Sequence, residues 1–156
     1  QLSFSSFGTV RSATVTQRGQ KRTWNEWKED EITSRDPDTD QTGPNDSPAG
    51  DGIPNLLKYA TGLDPLKPCG SVVQVTAEEA GGDACLVLGW PVNPEATGIR
   101  HAVEASEDLQ TWTETAEVKT EGKSSATFRD AVPMNAESPR RRFLRLKISR
   151  EGESPL

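Results

Sequence analysis

From Ser71 onward, short runs of alternating apolar and polar residues follow one another, and this pattern constrains the fold more than any other feature. A strand places successive side chains on opposite faces of its sheet, so a period of two predicts strands with one buried face. Six such runs are separated by Gly, Pro, Asn and Asp: SVVQVTAE, ACLVLGWPV, IRHAVEAS, TWTETAEV, SSATFRDA and RFLRLKIS. The sequence therefore predicts a mainly β fold, with an antiparallel β-sandwich over residues 69–150.

The phase of the alternation predicts which side chains fill the core. In the last run, Leu144 and Leu146 point to one face, whereas Arg145 and Lys147 point to the other. The predicted core residues are the large apolar side chains on the inward phase: Leu86, Leu88, Trp90, Val103, Trp112, Phe128, Leu144 and Leu146.

Two short helices are predicted before the sandwich. Thr23 and Glu26 fit a capping box, so a helix is expected over residues 24–32. A second helix is expected over residues 54–61, because proline is tolerated in a first turn and Gly62 suits the C-terminal cap. The predicted organisation is an extended segment at 1–22, short helices with an acidic loop at 23–68, the sandwich at 69–150 and a tail at 151–156.

Aromatic residues in the N-terminal third need burial. Trp24 and Trp27 lie on one helix face and are predicted to be core anchors, whereas Tyr59 is expected to cover the edge of its helix. Phe4 and Phe7 belong to the acid-free extended segment, and we expect them to be buried on this chain's own sandwich or on that of a neighbouring copy.

The loop between the two helices is strongly acidic, with eight acids and one base in residues 29–51. Carboxylates this close repel one another unless a cation or hydrogen-bond donors neutralise them. The candidate calcium ligands are the acids of the loop and one amide: Asp36, Asp38, Asp40, Asp46, Asp51 and Asn55. A solvated, flexible linker is the alternative interpretation, and both stay open.

The segment DGIPNLLKYATGLDP follows an Asp/Pro-rich loop and precedes VEASEDLQTWTE and RRFLRLKIS. Over residues 23–150, this arrangement resembles the C-terminal modules of large secreted bacterial proteins. Those modules join a calcium loop, similar to thrombospondin type 3 and dockerin loops, to an immunoglobulin-like β-domain. The resemblance implies an immunoglobulin-like sandwich in a non-catalytic structural or anchoring module, secreted or at the cell surface and stabilised by calcium.

The loop departs from that calcium pattern at two positions. With Asp51 and Gly52 at positions five and six of an EF-hand-type loop, Ala49 falls at position three and Lys58 at position twelve. Ala49 has no side-chain oxygen, and Lys58 places a cation where a bidentate acid is expected. We therefore expect any calcium site to be a hybrid that uses the alternating aspartates of residues 36–40.

Several functional classes find no support in the sequence. No apolar run is long enough to span a membrane. Residues 139–150 hold six bases and no acid, but no nucleic-acid motif accompanies them, so a solvated strand face is expected. No hydrolase, metalloprotease or phosphate-loop motif occurs, and the only histidine, His101, lies on the inward face of its strand. The chain is therefore predicted not to be an enzyme.

Two other functions stay open. The N-terminal segment could add as a strand to another copy, which would make the chain a subunit of an extracellular fibre or surface assembly. A carbohydrate-binding sandwich would require Trp90 or Trp112 to be exposed as a stacking platform, although burial is expected for both. The expected partners are thus other copies of the chain or the remainder of a longer secreted chain, with carbohydrate as the alternative.

The two cysteines could form a disulfide in an oxidising compartment. If residues 81–82 form a hairpin turn, however, Cys69 and Cys85 lie roughly 30 Å apart along the ladder and could not bond.

Overall fold

The computed structural model of the chain describes residues 19–134 and 141–152. The expectations for residues 1–18, including the burial of Phe4 and Phe7, and for residues 153–156 lie outside the described residues. The helical elements are α1 (Trp24–Lys28), a π-helical turn (Glu29–Thr33) and α2 (Asn55–Thr61). The strands are β1 (Gln74–Ala80), β2 (Asp83–Pro91), β3 (Ile99–Ser106), β4 (Thr113–Val118), β5 (Ser125–Met134) and β6 (Phe143–Arg150).

Both α-helices begin or end where the sequence predicts. The Thr23 hydroxyl accepts a hydrogen bond from the Glu26 backbone, and the Glu26 carboxylate accepts one from the Thr23 backbone at 2.8 Å, which is the predicted capping box. At the end of α2, Gly62 adopts a φ of 75°. The Leu63 N–H then reaches back to the Lys58 carbonyl at 2.9 Å, satisfying a free helix carbonyl.

The six strands form two antiparallel sheets of three strands each, in the orders β1-β2-β5 and β4-β3-β6. β1 and β2 are joined by a two-residue turn at Gly81 and Gly82, which have φ angles of 68° and 94°. Glycine adopts such angles without a steric penalty, which explains the predicted hairpin. The prediction of a mainly β fold with two short helices is confirmed.

The two sheets share one apolar core. Its buried residues come from both sheets and from the loop after β2: Leu88, Trp90, Val92, Val103 and Ala126. Half-buried side chains pack against them: Val73, Val118, Phe128, Leu144 and Leu146. Most of the predicted core is therefore confirmed, because the period-two phase was assigned correctly. Leu86 is half-buried and lies outside this cluster.

Trp112 also lies outside the core in which the sequence places it. It precedes the first residue of β4, and the Arg145 guanidinium lies 4.0 Å from the centre of its ring. Arg145 is on the outward face of β6, so the indole packs on the outside of the sheet through a cation–π contact. A tryptophan just before a strand can turn to either face, which the alternation alone does not settle.

A second apolar cluster holds the helices together. Trp24, Trp27 and Tyr59 contact one another with ring centroids 5.4 to 5.7 Å apart, and Ile32 is buried beside them. The two tryptophans are thus core anchors, as predicted. Tyr59 is not at an edge: it is fully buried, because the loop joining β2 to β3 closes over it.

The hydroxyl of Tyr59 fastens the helices to the sandwich. It accepts a hydrogen bond from the Thr97 backbone N–H at 2.8 Å and lies 2.6 Å from the Arg22 carbonyl oxygen. Arg22 also forms a parallel β-bridge with Ala96, and the Asn93 side chain donates to the Tyr59 carbonyl at 2.9 Å. These contacts hold the segment before α1, helix α2 and the β2–β3 loop in one fixed arrangement.

Candidate functional site

The acidic loop is built from turns that are tied to the start of α2. The Asp36 backbone N–H donates to the Ile32 carbonyl at 2.8 Å, which forms one further turn after the π-helical turn. At the far end, the Asn55 backbone N–H donates to the Asp46 carbonyl at 2.8 Å. The loop is therefore closed on itself before the helix begins, rather than extended between the two helices.

Asn55 holds the inside of this loop. Its side chain is fully buried, and Nδ2 donates to the carbonyls of Gln41 at 3.1 Å and Gly43 at 3.0 Å. The Gly43 N–H in turn donates to Asp46 Oδ2 at 2.7 Å. Within the part of the chain that the structure describes, Asn55 Oδ1 is buried and has no hydrogen-bond partner. This oxygen is an acceptor of the type that calcium binds.

Asp51 is saturated with hydrogen-bond donors. Its carboxylate accepts from the backbone N–H groups of Ile53 and Cys69, both at 3.0 Å, and from the Ser47 hydroxyl at 2.9 Å. The Lys58 ammonium lies 2.8 Å from Oδ2. The hydrogen bond from Lys58, followed by those from the backbone, holds the pKa of Asp51 well below its usual range. The charge of Asp51 is thus balanced from inside the protein.

Lys58 supplies that balance from α2. Its side chain is fully buried, and besides Asp51 the ammonium reaches the carbonyl oxygens of Lys67 at 3.0 Å and Pro65 at 3.4 Å. Three oxygens therefore surround one positive charge beside the acidic loop. In the EF-hand alignment Lys58 occupies position twelve, where a calcium loop has an acid. Here, helix α2 places the Lys58 ammonium at the position where the acid of a calcium loop would bind the metal ion.

The other predicted ligands lie on separate turns. Asp38 and Asp40 are exposed, and Asp36 and Asp46 are half-buried. Among residues 19–134 and 141–152, no three acids, histidines or cysteines lie close enough together to hold a metal ion. Of the six candidates, the structure brings together Asp46 and Asn55 around Gly43, and it commits Asp51 to Lys58. Calcium binding by this loop stays a prediction.

Buried charges in the sandwich are paired as well. Glu104 is 5% exposed and accepts hydrogen bonds from Arg145 at 2.7 Å and Lys147 at 2.8 Å. Burial by itself would raise the pKa of Glu104, but these two cations lower it below the ordinary value. Asp130 is held in the same way by Arg142, at 2.5 and 2.9 Å. Three of the C-terminal bases, Arg142, Arg145 and Lys147, thus supply partners to acids of β3 and β5.

The single histidine is part of the core. The Trp90 Nε1–H donates to His101 Nδ1 at 3.2 Å, and the two rings stack with an interplanar angle of 15°. Burial lowers the pKa of His101 to about 4, so the ring is neutral at physiological pH. The same contact buries Trp90, which is 3% exposed, and Arg145 covers one face of Trp112. Trp90 is therefore too buried to serve as a platform for carbohydrate stacking, whereas Trp112 is half-buried.

Both cysteines are free thiols. Cys85 is paired across the ladder with Glu78 of β1, and Cys69 lies before β1, where its N–H binds Asp51. The hairpin at residues 81–82 separates the two residues along the ladder, as the register argument predicts.

Comparison of the chain with protein-family models, curated proteins and solved structures found no significant match. No helix within the described ranges is long and apolar enough to cross a membrane.

The sequence gives little warning of the roles of Lys58 and Tyr59. A lysine between Leu57 and Tyr59 is expected to reach solvent, and only its place at position twelve of the loop marks it as unusual. Tyr59 lies on the same helix, and its partners Arg22 and Thr97 are distant in sequence. Only the fold brings these groups together.

Replacing Lys58 tests the role of the buried ammonium. Lys58→Met keeps the stem but leaves the Asp51 carboxylate without its cation, so we expect the melting temperature to fall by roughly ten degrees. Adding Asp51→Asn should restore part of the loss, because the uncompensated charge is removed. Lys67→Met is the matched control, since that side chain is 77% exposed. Equal melting temperatures for Lys58→Met and Lys67→Met would contradict this role.

The burial of His101 predicts a pH dependence. Between pH 6.5 and about 4, the unfolded chain binds a proton at His101 that the folded chain does not, so stability falls as the pH decreases. His101→Phe cannot titrate, and from pH 7 to pH 4 it should lose about 3 kcal/mol less free energy of unfolding than the wild type. Denaturant titrations at pH 7, 5 and 4 measure this difference. Parallel pH profiles would show that the wild-type imidazole charges inside the fold.

Proposed function

We propose that the chain is a non-catalytic structural or anchoring module of a secreted bacterial protein, acting outside the cell or at its surface. The observation that carries the proposal is the arrangement of the charges. Asp51, Glu104 and Asp130 are each committed to an internal base at 2.5 to 2.8 Å. A general acid or base has to exchange protons with a substrate, and groups that are held by internal partners are better suited to fixing a fold.

The join between the helices and the sandwich also supports a structural role. Backbone and side-chain hydrogen bonds from Tyr59 and Asn93 cross between the two regions, around a cluster of aromatic rings. An arrangement of this kind resists bending, which suits an element that holds other parts of a longer chain in place. The strand orders β1-β2-β5 and β4-β3-β6 support an immunoglobulin-like type for the sandwich.

Calcium belongs to this proposal as a ligand of the acidic loop. Asp36, Asp38 and Asp40 alternate along the chain, and within residues 19–134 and 141–152 no ion pair relieves their repulsion in the way that Lys58 relieves that of Asp51. The buried, unpartnered Asn55 Oδ1 is one further hard oxygen near the same loop. We propose that these groups, with Asp46, bind one calcium ion when the turns that carry them move together around it, and that Asp51 stays with Lys58.

A melting experiment tests the calcium site. Calcium at one hundred times its dissociation constant should stabilise the fold by about 2.7 kcal/mol, and a chelator should remove that gain. Asp38→Ala with Asp40→Ala should make the melting temperature independent of calcium. Glu78→Ala with Glu79→Ala, which removes two exposed acids from β1, is the matched control and should keep the response. Identical wild-type melting in calcium and in chelator would mean that the loop is a solvated turn.

Surface retention tests the anchoring role. A secreted reporter fused to the chain should be found with the cells in larger part than the reporter alone, when washed cells and medium are assayed separately. The Lys58→Met fusion should lose this retention to the extent that it unfolds, which ties the effect to the folded module. Equal release of all three proteins into the medium would argue against anchoring.

A further inference from the structure

A cavity lies at the end of the sandwich where β3 begins and β4 ends. Its volume is about 340 Å³, near the lower end of the range for small-molecule sites. Residues 93–98 of the β2–β3 loop and residues 119–122 after β4 contribute to its walls, and His101 of β3 also lines it. The lining includes no residue of the acidic loop, so this cavity is separate from the proposed calcium site.

The hydrogen bond from Trp90 determines the tautomer of His101. An indole N–H can only donate, so His101 Nδ1 accepts and carries no proton. The neutral imidazole holds one N–H, which must then be at Nε2. His101 is paired with Val118 across the ladder, and Val118 packs against the core, so the imidazole also lies on the inner side of its sheet. The ring thus presents one hydrogen-bond donor on that side.

This donor lacks an acceptor. His101 is 2% exposed, and within the part of the chain that the structure describes no group accepts a hydrogen bond from Nε2. A buried donor without an acceptor is unfavourable and uncommon in native proteins. A ligand in the cavity can supply the acceptor, because His101 is part of the lining. Since Nε2 itself is buried, a side chain of the lining has to rotate on binding, as is common at binding sites.

The charges around the cavity balance one another. Three bases and three acids line it: Lys21, Arg100, Lys119, Glu117, Glu121 and Glu151. Glu117 is paired with both Arg100 and Lys119. Because the lining has no net charge, it offers an ion little attraction to offset the loss of its hydration. The cavity therefore favours a ligand that is polar but uncharged.

We propose that this cavity binds a neutral polyhydroxyl compound, such as a single sugar unit, with one hydroxyl oxygen accepting a hydrogen bond from His101 Nε2–H. A hydroxyl both accepts and donates, so other hydroxyls of the ligand can bind the exposed Lys21 and Glu121 side chains of the lining. Ile99 and Val118 add apolar surface that suits the C–H groups of a sugar ring. The site needs no exposed tryptophan, and the inference does not depend on the proposed function.

Titration calorimetry with neutral and charged sugars tests the class of ligand. Of glucose, galactose and mannose, at least one should bind the full-length protein with a dissociation constant of about 1 mM or lower. The uronate and the amino sugar of that hexose have the same ring with one charge added, and each should bind about tenfold more weakly. Its methyl glycoside distinguishes two sources of the ligand. Binding equal to that of the hexose assigns the site to the end of a glycan, and loss of binding assigns it to a free sugar.

Substitutions at His101 test the donor separately from the support that the ring gives to Trp90. In His101→Asn, the side-chain oxygen can still accept from the Trp90 N–H, but no donor remains at the place of Nε2. The longer amide of His101→Gln can bring an N–H back to that place. Affinity for the hexose should fall about tenfold in His101→Asn, as expected for one lost hydrogen bond, and recover in part in His101→Gln.

Substitutions of Lys21 and Glu121 test the cavity without changing the core. Lys21→Met and Glu121→Gln should each weaken binding about threefold. The matched controls, Lys67→Met and Glu78→Gln, change exposed residues that do not line the cavity and should bind as the wild type does. Melting curves establish that each variant is folded.

Three results would overturn the proposal. Failure of all three hexoses to bind would leave Nε2–H to a buried water molecule. A uronate that binds more tightly than its hexose would make the cavity an anion site. Unchanged affinity in folded His101→Asn, or in both Lys21→Met and Glu121→Gln if the His101 variants do not fold, would place the sugar elsewhere on the protein.

Discussion

The buried ion pair between Lys58 and Asp51 determines how the N-terminal third of the protein can fold. A fully buried ammonium is tolerated only when oxygens surround it, and here Asp51 and two backbone carbonyls do so. Because Asp51 also binds the N–H groups of Ile53 and Cys69, the pair connects the acidic loop, helix α2 and the segment that leads to β1. The loop, the helix and the entry to the sandwich therefore depend on one internal cation.

The same solution recurs in the sandwich. Glu104 and Asp130 are nearly buried, and bases from residues 141–147 satisfy them. Removing either partner would leave a charge without compensation, so the pairs stabilise one arrangement of the strands more than they add to total stability. Arg142, Arg145 and Lys147 near the C-terminus therefore serve as structural partners of the acids of β3 and β5.

Much of the fold could be predicted because the relevant signals are local. The alternation of apolar residues located all six strands, and Thr23, Glu26 and Gly62 marked helix ends through hydrogen bonds to nearby residues. The prediction placed Trp112 in the core wrongly, because the alternation of a strand does not fix the direction of a side chain that precedes the strand. Its partner Arg145 is also distant in sequence. The candidate site was predicted less well, since the alternating aspartates are visible in the sequence but the atoms that face them are not.

The sequence by itself determined the strands, the helix caps, the hairpin at residues 81–82 and the concentration of acids before α2. Each of these follows from the chemistry of a few adjacent residues. Only the tertiary structure decided that Lys58 neutralises Asp51, that Tyr59 joins the helices to the β2–β3 loop, and that His101 lines a cavity at one end of the sandwich. These depend on which distant segments meet, because burial and charge compensation are properties of the assembled fold rather than of any one segment.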